Sequence, residues 1–112
     1  MSHLLVMSNF PDRASAERAA RRLVTDRLAA CVNIGATLTS LYHWQGRIET
    51  AEETPLVAKT RADLYANVEA ALLDEHPYEL PEIVAVPFTA GLAKYFNWID
   101  LETQGSHDRR SA

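Results

Sequence analysis

The side chains best able to do chemistry in this chain sit in one stretch, His76-Pro77-Tyr78-Glu79-Leu80-Pro81-Glu82-Ile83. It carries an imidazole, a phenol and two carboxylates between two prolines. Each proline fixes its own φ and pushes the preceding residue out of the helical region, so His76 and Leu80 are expected in extended backbone. A loop that stiff holds polar groups in a fixed constellation, or it simply leads into a buried strand. One use is metal binding, with Cys31, His76 and Glu79 as ligands and His43 as an outlier. A thiolate beside an imidazole suits copper or zinc. The spacing matches no compact ligand motif, so only the fold could bring Cys31 to His76. A lone cysteine opening an apolar strand is also an ordinary small hydrophobe. As a nucleophile Cys31 would need an electropositive, exposed setting, which Ala29, Ala30 and Val32 do not supply. Glu79 and Glu82 could act as an acid–base pair, but no substrate pocket is legible in the sequence.

Lys59-Thr60-Arg61 closes a strand and opens a helix, a place where an anion could bind, although a capped helix with solvated charges explains it as well. The four glycines form no phosphate-binding loop. Five amphipathic rings, Tyr42, Trp44, Tyr78, Tyr95 and Trp98, read as core and subunit interface, or as a cleft lined by Tyr78, Glu79 and Trp98 that holds a small ligand. RNA recognition would need aromatics on the two central strands, and the third strand has none. The net charge of −4 and pI near 5.5 argue against nucleic acid and anionic membrane. One cysteine excludes an internal disulfide and fits a reducing compartment. The N-terminus lacks a signal-peptide pattern, and no apolar run approaches the ~18 residues of a membrane span. The expectation is a cytoplasmic protein.

The elements that must position these groups follow from periodicity. Leu4–Met7 is a short apolar strand. Asp12 to Arg27 is a helix, capped by Asp12 or Ser15, with Ala16, Ala20, Leu23, Val24 and Leu28 as its buried stripe and Arg18, Arg21, Arg22 and Arg27 mostly opposite. Glu17–Arg21 and Arg22–Asp26 are spaced as ion pairs. Residues 30–44 and 47–60 form a long hairpin about Gln45-Gly46, with a kink at Gly35. Arms of about 13 residues would reach about 40 Å, beyond a globule whose radius of gyration is ~13 Å. Pro55 is expected to interrupt the third strand. An unsupported ribbon is marginal in water, so the ribbons predict oligomerisation. Thr60-Arg61-Ala62-Asp63 resembles a capping box for a second helix ending near Glu75, with Leu64, Val68, Ala71 and Leu72 buried. Residues 82–86 form the fourth strand. Gly91 to Leu101 forms a third helix with Leu92, Tyr95, Phe96 and Ile99 as its stripe and Trp98 beside it. His3 and His107 read as inert. Residues 1–102 make one domain, and the polar segment 103–112 is expected to be disordered. The order is β-α-β-β-α-β plus a helix, an α+β, ferredoxin-like antiparallel sheet with two helices on one face.

Five segments resemble the CutA divalent-cation tolerance family: Arg27-Leu28-Ala29-Ala30-Cys31-Val32-Asn33-Ile34, Tyr42-x-Trp44-x-Gly46-x-Ile48-Glu49, Lys59-Thr60, His76 through Ile83, and Gly91-x-x-x-Tyr95-x-x-Trp98. They occur in the family's order across residues 4 to about 101. The resemblance implies a ferredoxin-like homotrimer joined through its hairpins, similar in architecture to PII signalling proteins. It implies no established reaction and a link to copper and other divalent cations. Of the family's copper-associated cysteines only Cys31 is present, and Thr54-Pro55 departs from the more apolar strand typical of the family. The expected function is non-enzymatic metal tolerance, with a cation or small ligand near Lys59, Tyr78, Glu79 and Trp98 in an intersubunit cleft. The alternative is a PII-like sensor of an anionic metabolite that passes its signal to a partner protein.

Overall fold

The computed structural model describes residues 2–105 and 107. Five strands and three α-helices follow in order: β1 (His3–Phe10), α1 (Arg13–Thr25), β2 (Cys31–Ile34), β3 (Leu38–Trp44), β4 (Arg47–Arg61), α2 (Tyr65–Glu75, entered through a 3-10 turn at Ala62–Leu64), β5 (Ile83–Pro87) and α3 (Ala93–Glu102). The sheet runs β2-β4-β1-β5, every pair antiparallel. With β2 and β3 taken as the two halves of one arm, this is the expected ferredoxin-like α+β arrangement.

Alternation decides the faces. On β4, Leu56, Ala58 and Thr60 are buried while Pro55, Val57, Lys59 and Arg61 are half-buried. The buried set joins Val6 and Phe10 of β1 and packs under Ala16, Ala19, Ala20 and Leu23 of α1 and Val68, Ala71 and Leu72 of α2. α3 lies on the other face, where Phe96 stacks on His3 at 4.8 Å and Lys59 Nζ stands 5.9 Å from the centre of the Tyr95 ring.

Helix ends are set by local hydrogen bonds. Asp12 caps α1 by accepting from the Ser15 N–H at 2.8 Å, and that charge-assisted bond holds its carboxyl below the usual range. α1 stops at Thr25 because Arg27 takes a positive φ of 56°. The Arg27 and Leu28 N–H groups then donate back to the carbonyls of Val24 and Leu23, a Schellman closure with arginine where glycine is usual. Val24 is exposed, and Ala19 joins Ala16, Ala20 and Leu23 in the buried stripe. Glu17 pairs with Arg13 rather than Arg21, while Arg22 does meet Asp26 and also reaches Asp74 and Glu75 on α2. The capping box does not form. Thr60 remains in β4 and donates its hydroxyl to the Leu28 carbonyl at 2.6 Å. Burial of that hydroxyl demands a partner, and the end of α1 supplies one.

β4 is continuous through Pro55, against expectation; the break falls on the opposite arm. Ile34 faces Leu56 and Leu38 faces Glu53, so Gly35, Ala36 and Thr37 oppose only Thr54 and Pro55. This is a bulge, and the Gly35 N–H donates to the Pro55 carbonyl at its edge. The proline therefore lacks its own N–H just where the ladder is already broken. A Cβ at Gly35 would lie 2.9 Å from Pro55 Cγ, so the bare glycine permits the approach. Beyond Thr54, which pairs with Phe10, β4 is bonded only to β3. The overhang is thus the outer half of the hairpin, seven residues of β3 with their partners. It closes on Gln45 and Gly46, both at positive φ as a type I′ turn requires.

The third helix starts two residues later than expected, and Leu92 is 71% exposed, so its stripe reduces to Tyr95, Phe96 and Ile99. His3 is not inert: it is buried and its Nε2 lies 2.8 Å from Asp100 Oδ1, tying β1 to α3. Thr103 is fully buried and donates to the Ile99 carbonyl, and the His107 ring bonds the Arg27 carbonyl. The rest of the segment expected to be disordered, at 106 and 108–112, lies outside the described residues.

Candidate functional site

Phe10 ends β1 fully buried, and the His76 ring stacks on it with 4.1 Å between centroids. His76 has left the helix (φ −82°, ψ 129°), as the following proline dictates. Its Nδ1 accepts from the Tyr78 N–H at 3.2 Å, and its Nε2 lies 2.8 Å from the Asn9 carbonyl. These bonds assign a neutral ring with the proton on Nε2, donated to Asn9. Both nitrogens are engaged, so His76 is a splint between β1 and the loop, with neither nitrogen left for a metal.

Burial pushes the His76 pKa down, outweighing the Asn9 bond and the nearby Glu53 charge. The unfolded chain therefore binds the proton more readily than the folded one. This contribution to stability is complete above the ordinary imidazole value of 6.5 and is lost as pH falls through and below it. The wild type is expected to lose melting temperature between pH 7.5 and 5 more steeply than His76→Gln, as followed by circular dichroism; parallel profiles would contradict this.

The splint aims Tyr78 at Glu53. The phenol donates to Glu53 Oε2 at 2.9 Å, and Glu53 is only 9% exposed. Desolvation first, then the Glu53 bond and charge, pushes the Tyr78 pKa up to about 12. The neutral phenol is what the fold stabilises, so this support holds below pH 10 and is lost as pH rises toward 12. In an ultraviolet titration of the four tyrosines the Tyr78 phenol should ionise near pH 12, Tyr65 should also be late because its phenol is bonded to Glu69, and Tyr78→Phe should remove the step near 12.

Between this loop and the base of the ribbon opens a cleft of about 660 Å³. Tyr42, Trp44 and Tyr78 supply rings, and Glu53, Glu79 and Glu82 supply carboxylates; among the described residues no lysine or arginine lines it. Glu82 also accepts from the Asn9 side chain at 3.4 Å, and its carbonyl accepts from Ser8 at 2.6 Å, fixing the far end of the loop.

The expected site residues divide into two groups. Tyr78 and Glu79 lie at the cleft. Lys59 and Trp98 lie elsewhere, with Trp98 stacked on Tyr95 at 5.5 Å and Lys59 over the same ring. Cys31 pairs with Lys59 across the strands, and Lys59 with Leu5 on β1. Leu5 and Asn9, the anchor of His76, are four residues apart, roughly 13 Å along the strand. Cys31, His76 and Glu79 therefore do not converge in one chain. Among the described residues no three His, Cys, Asp or Glu side chains are grouped to hold a metal ion. The fold does give Cys31 a cationic neighbour, Lys59, which local sequence did not suggest. Sequence reading missed Glu53. Its only signal is register: with β3 paired to β4, it is the last residue before β4 gains β1 as a second neighbour, facing the loop.

A sequence model described as "CutA1 divalent ion tolerance protein" matches residues 4–102. The divalent-cation tolerance protein CutA of Thermus thermophilus is 39% identical over 95 residues, covering 85% of this chain and 92% of that one. The chloroplastic protein CutA of Arabidopsis thaliana is 34% identical over 90% of this chain, which spans only 56% of its length. Among solved structures, CutA from Xylella fastidiosa superposes with a TM-score of 0.90 at 42% identity, covering 93% of this chain and all of that one. CutA from Archaeoglobus fulgidus, described as periplasmic, gives 0.88 at 37%, covering 91% and 99%. Among the described residues no helix is long and apolar enough to cross a membrane.

Proposed function

The chain belongs to the CutA1 divalent ion tolerance protein family, and from that premise we propose that it is a non-enzymatic homotrimer that takes up divalent cations, copper or zinc among them, where copies meet. The observation that carries this reading is the acidic cleft at the foot of an overhanging ribbon. Its carboxylates attract cations, yet among the described residues no metal-sized cluster closes within one chain, so in this reading a second copy completes the site. A head-to-tail neighbour brings the Cys31 end of one sheet toward the Glu79 end of another. The cation is cargo in this reading, and His76 serves by holding the loop. A cytoplasmic setting rests on the single free Cys31 alone. An anionic-metabolite sensor is not favoured, because the cleft carries three carboxylates and Lys59 is committed to the Tyr95 face.

Calorimetric titration of tag-free protein with copper and zinc tests the proposal. Saturable heat at micromolar metal should appear, and Glu79→Gln and Cys31→Ser should each weaken it at least tenfold, about 1.4 kcal/mol. No heat, or identical binding in both variants, would remove the metal site.

A further inference from the structure

We infer that the residues following α3 are a strap that locks the α1–β2 turn and so fixes where β2 begins. The turn needs a lock because of its sequence. Arg27 stands at φ 56°, a left-handed conformation that glycine adopts freely and that crowds the β-carbon of other L-residues. Such a residue persists only where its surroundings hold it. Glycine is the usual choice at this position past a helix end, so arginine there needs support from outside the turn.

The support comes from one segment. The Arg27 guanidinium donates from Nη1 to the Glu102 carbonyl at 3.1 Å and to Glu102 Oε1 at 3.3 Å. The Arg27 carbonyl, just past the end of α1, lies 2.9 Å from His107 Nε2. A carbonyl only accepts, so that ring nitrogen carries the proton. The His107 carbonyl in turn accepts from the Asn67 side chain of α2 at 3.0 Å. At the near end Thr103 is fully buried; its hydroxyl donates to the Ile99 carbonyl at 2.7 Å, and its carbonyl accepts from Arg61 of β4 at 3.2 Å. Between these anchors Gly105 takes φ 128°, again a glycine conformation, and a Cβ there would stand 3.9 Å from Arg27 Cδ. Both halves of Arg27, side chain and backbone, are therefore gripped. The family model's match ends at residue 102, so Thr103, Gly105 and His107 lie past it.

The turn opens directly into β2. The N–H groups of Arg27, Leu28, Ala29 and Ala30 all donate to backbone carbonyls, the last to Lys59 of β4, and Cys31 follows in register with Lys59. If Arg27 leaves its left-handed conformation, that run of bonds loses its direction. The strap thus sets the point at which Cys31 meets Lys59, whether or not a metal is bound. Gln104 and Gly105 are exposed and the grip is a handful of separate hydrogen bonds, so the strap opens before the sheet does.

Amide hydrogen exchange followed by NMR, on the full chain in its native assembly with a chelator present, tests the strap apart from any metal. His107→Ala should speed exchange at Arg27, Leu28, Ala29 and Ala30 about tenfold and leave Val6, Leu56 and Ala58 unchanged. Asn67→Ala should act in the same direction, and the double variant should do no more than His107→Ala, because both cut one link. His107→Gln keeps a donor at similar reach and should stay within about threefold of the wild type. Arg27→Gly supplies a residue that takes the turn conformation unaided, so in that background His107→Ala should change the turn by less than about threefold. A His107→Ala variant whose turn exchanges as in the wild type overturns the proposal. So does a rise shared equally by turn and sheet, which is general loss of stability and not the opening of a lock. A full tenfold effect that survives in the Arg27→Gly background also overturns it, because the strap would then not be holding the arginine in place.

Discussion

Phe10→Ala is expected to lower the stability of this protein by about 3–5 kcal/mol, a large share of the 5–15 kcal/mol typical of a single domain. Phe10 is 0% exposed and is the bulkiest of the fully buried side chains. Its removal does more than open a cavity. The His76 ring rests on it at 4.1 Å, and His76 in turn bonds Asn9 and the Tyr78 backbone. Without the ring beneath, the imidazole loses its packing partner and the loop loses its orientation toward Glu53. Equilibrium urea unfolding should show the drop. The Tyr78 phenol should return toward an ordinary pKa in whatever fraction remains folded. Phe10→Leu keeps most of the volume and should cost less than about half as much. A Phe10→Ala variant within 1 kcal/mol of the wild type would mean that core and loop are not coupled as described.

That coupling marks where sequence reasoning holds and where it stops. The strand and helix order was legible because the alternating and 3.6-residue patterns each select one burial arrangement, as in Leu56, Ala58 and Thr60 or Ala16, Ala20 and Leu23. The extended backbone at His76 followed from Pro77 alone. Side-chain bonding was not legible, because it is decided by which groups the fold brings within 3 Å. Thr60 fitted a capping pattern and instead satisfies the Leu28 carbonyl. His3 looked like a terminal residue and is locked between Asp100 and Phe96. His76 looked like a ligand and is a splint. Pro55 did signal a broken ladder, but the bulge that accommodates it is on the facing arm, where Gly35 has no side chain to collide with it. Glu53 was invisible as a site residue, since nothing local distinguishes it from Glu49 or Glu52. Only the register with Leu38 puts it at the cleft while Glu52, paired with Thr39, faces outward.

Loss of assembly is the other large effect expected, from Leu41→Asp combined with Ile48→Asp. Both side chains are 69% exposed, and cross-strand pairing of Leu41 with Thr50 and His43 with Ile48 puts them on one face of the ribbon. Two aliphatic side chains held in water at the end of a two-stranded ribbon gain about 1.5–3 kcal/mol each if a neighbour covers them. The ribbon itself, unsupported beyond Thr54, gains rigidity from the same contact. Aspartate at either position stays hydrated in an isolated chain and costs that chain within about 1 kcal/mol through strand propensity. Buried in an interface, each would be an unpaired charge, so the penalty falls on association far more than on folding. Sedimentation equilibrium should therefore give three times 12.5 kDa for the wild type and a single 12.5 kDa subunit for the double variant. The circular dichroism spectrum should stay close to that of the wild type, and any metal binding that needs two copies should go with the trimer. A wild type that sediments as one subunit would refute the assembly outright. A double variant that stays trimeric would show that the copies meet elsewhere; the half-open sheet face bearing Val84 and Val86, 45% and 42% exposed, would then be the surface that joins them.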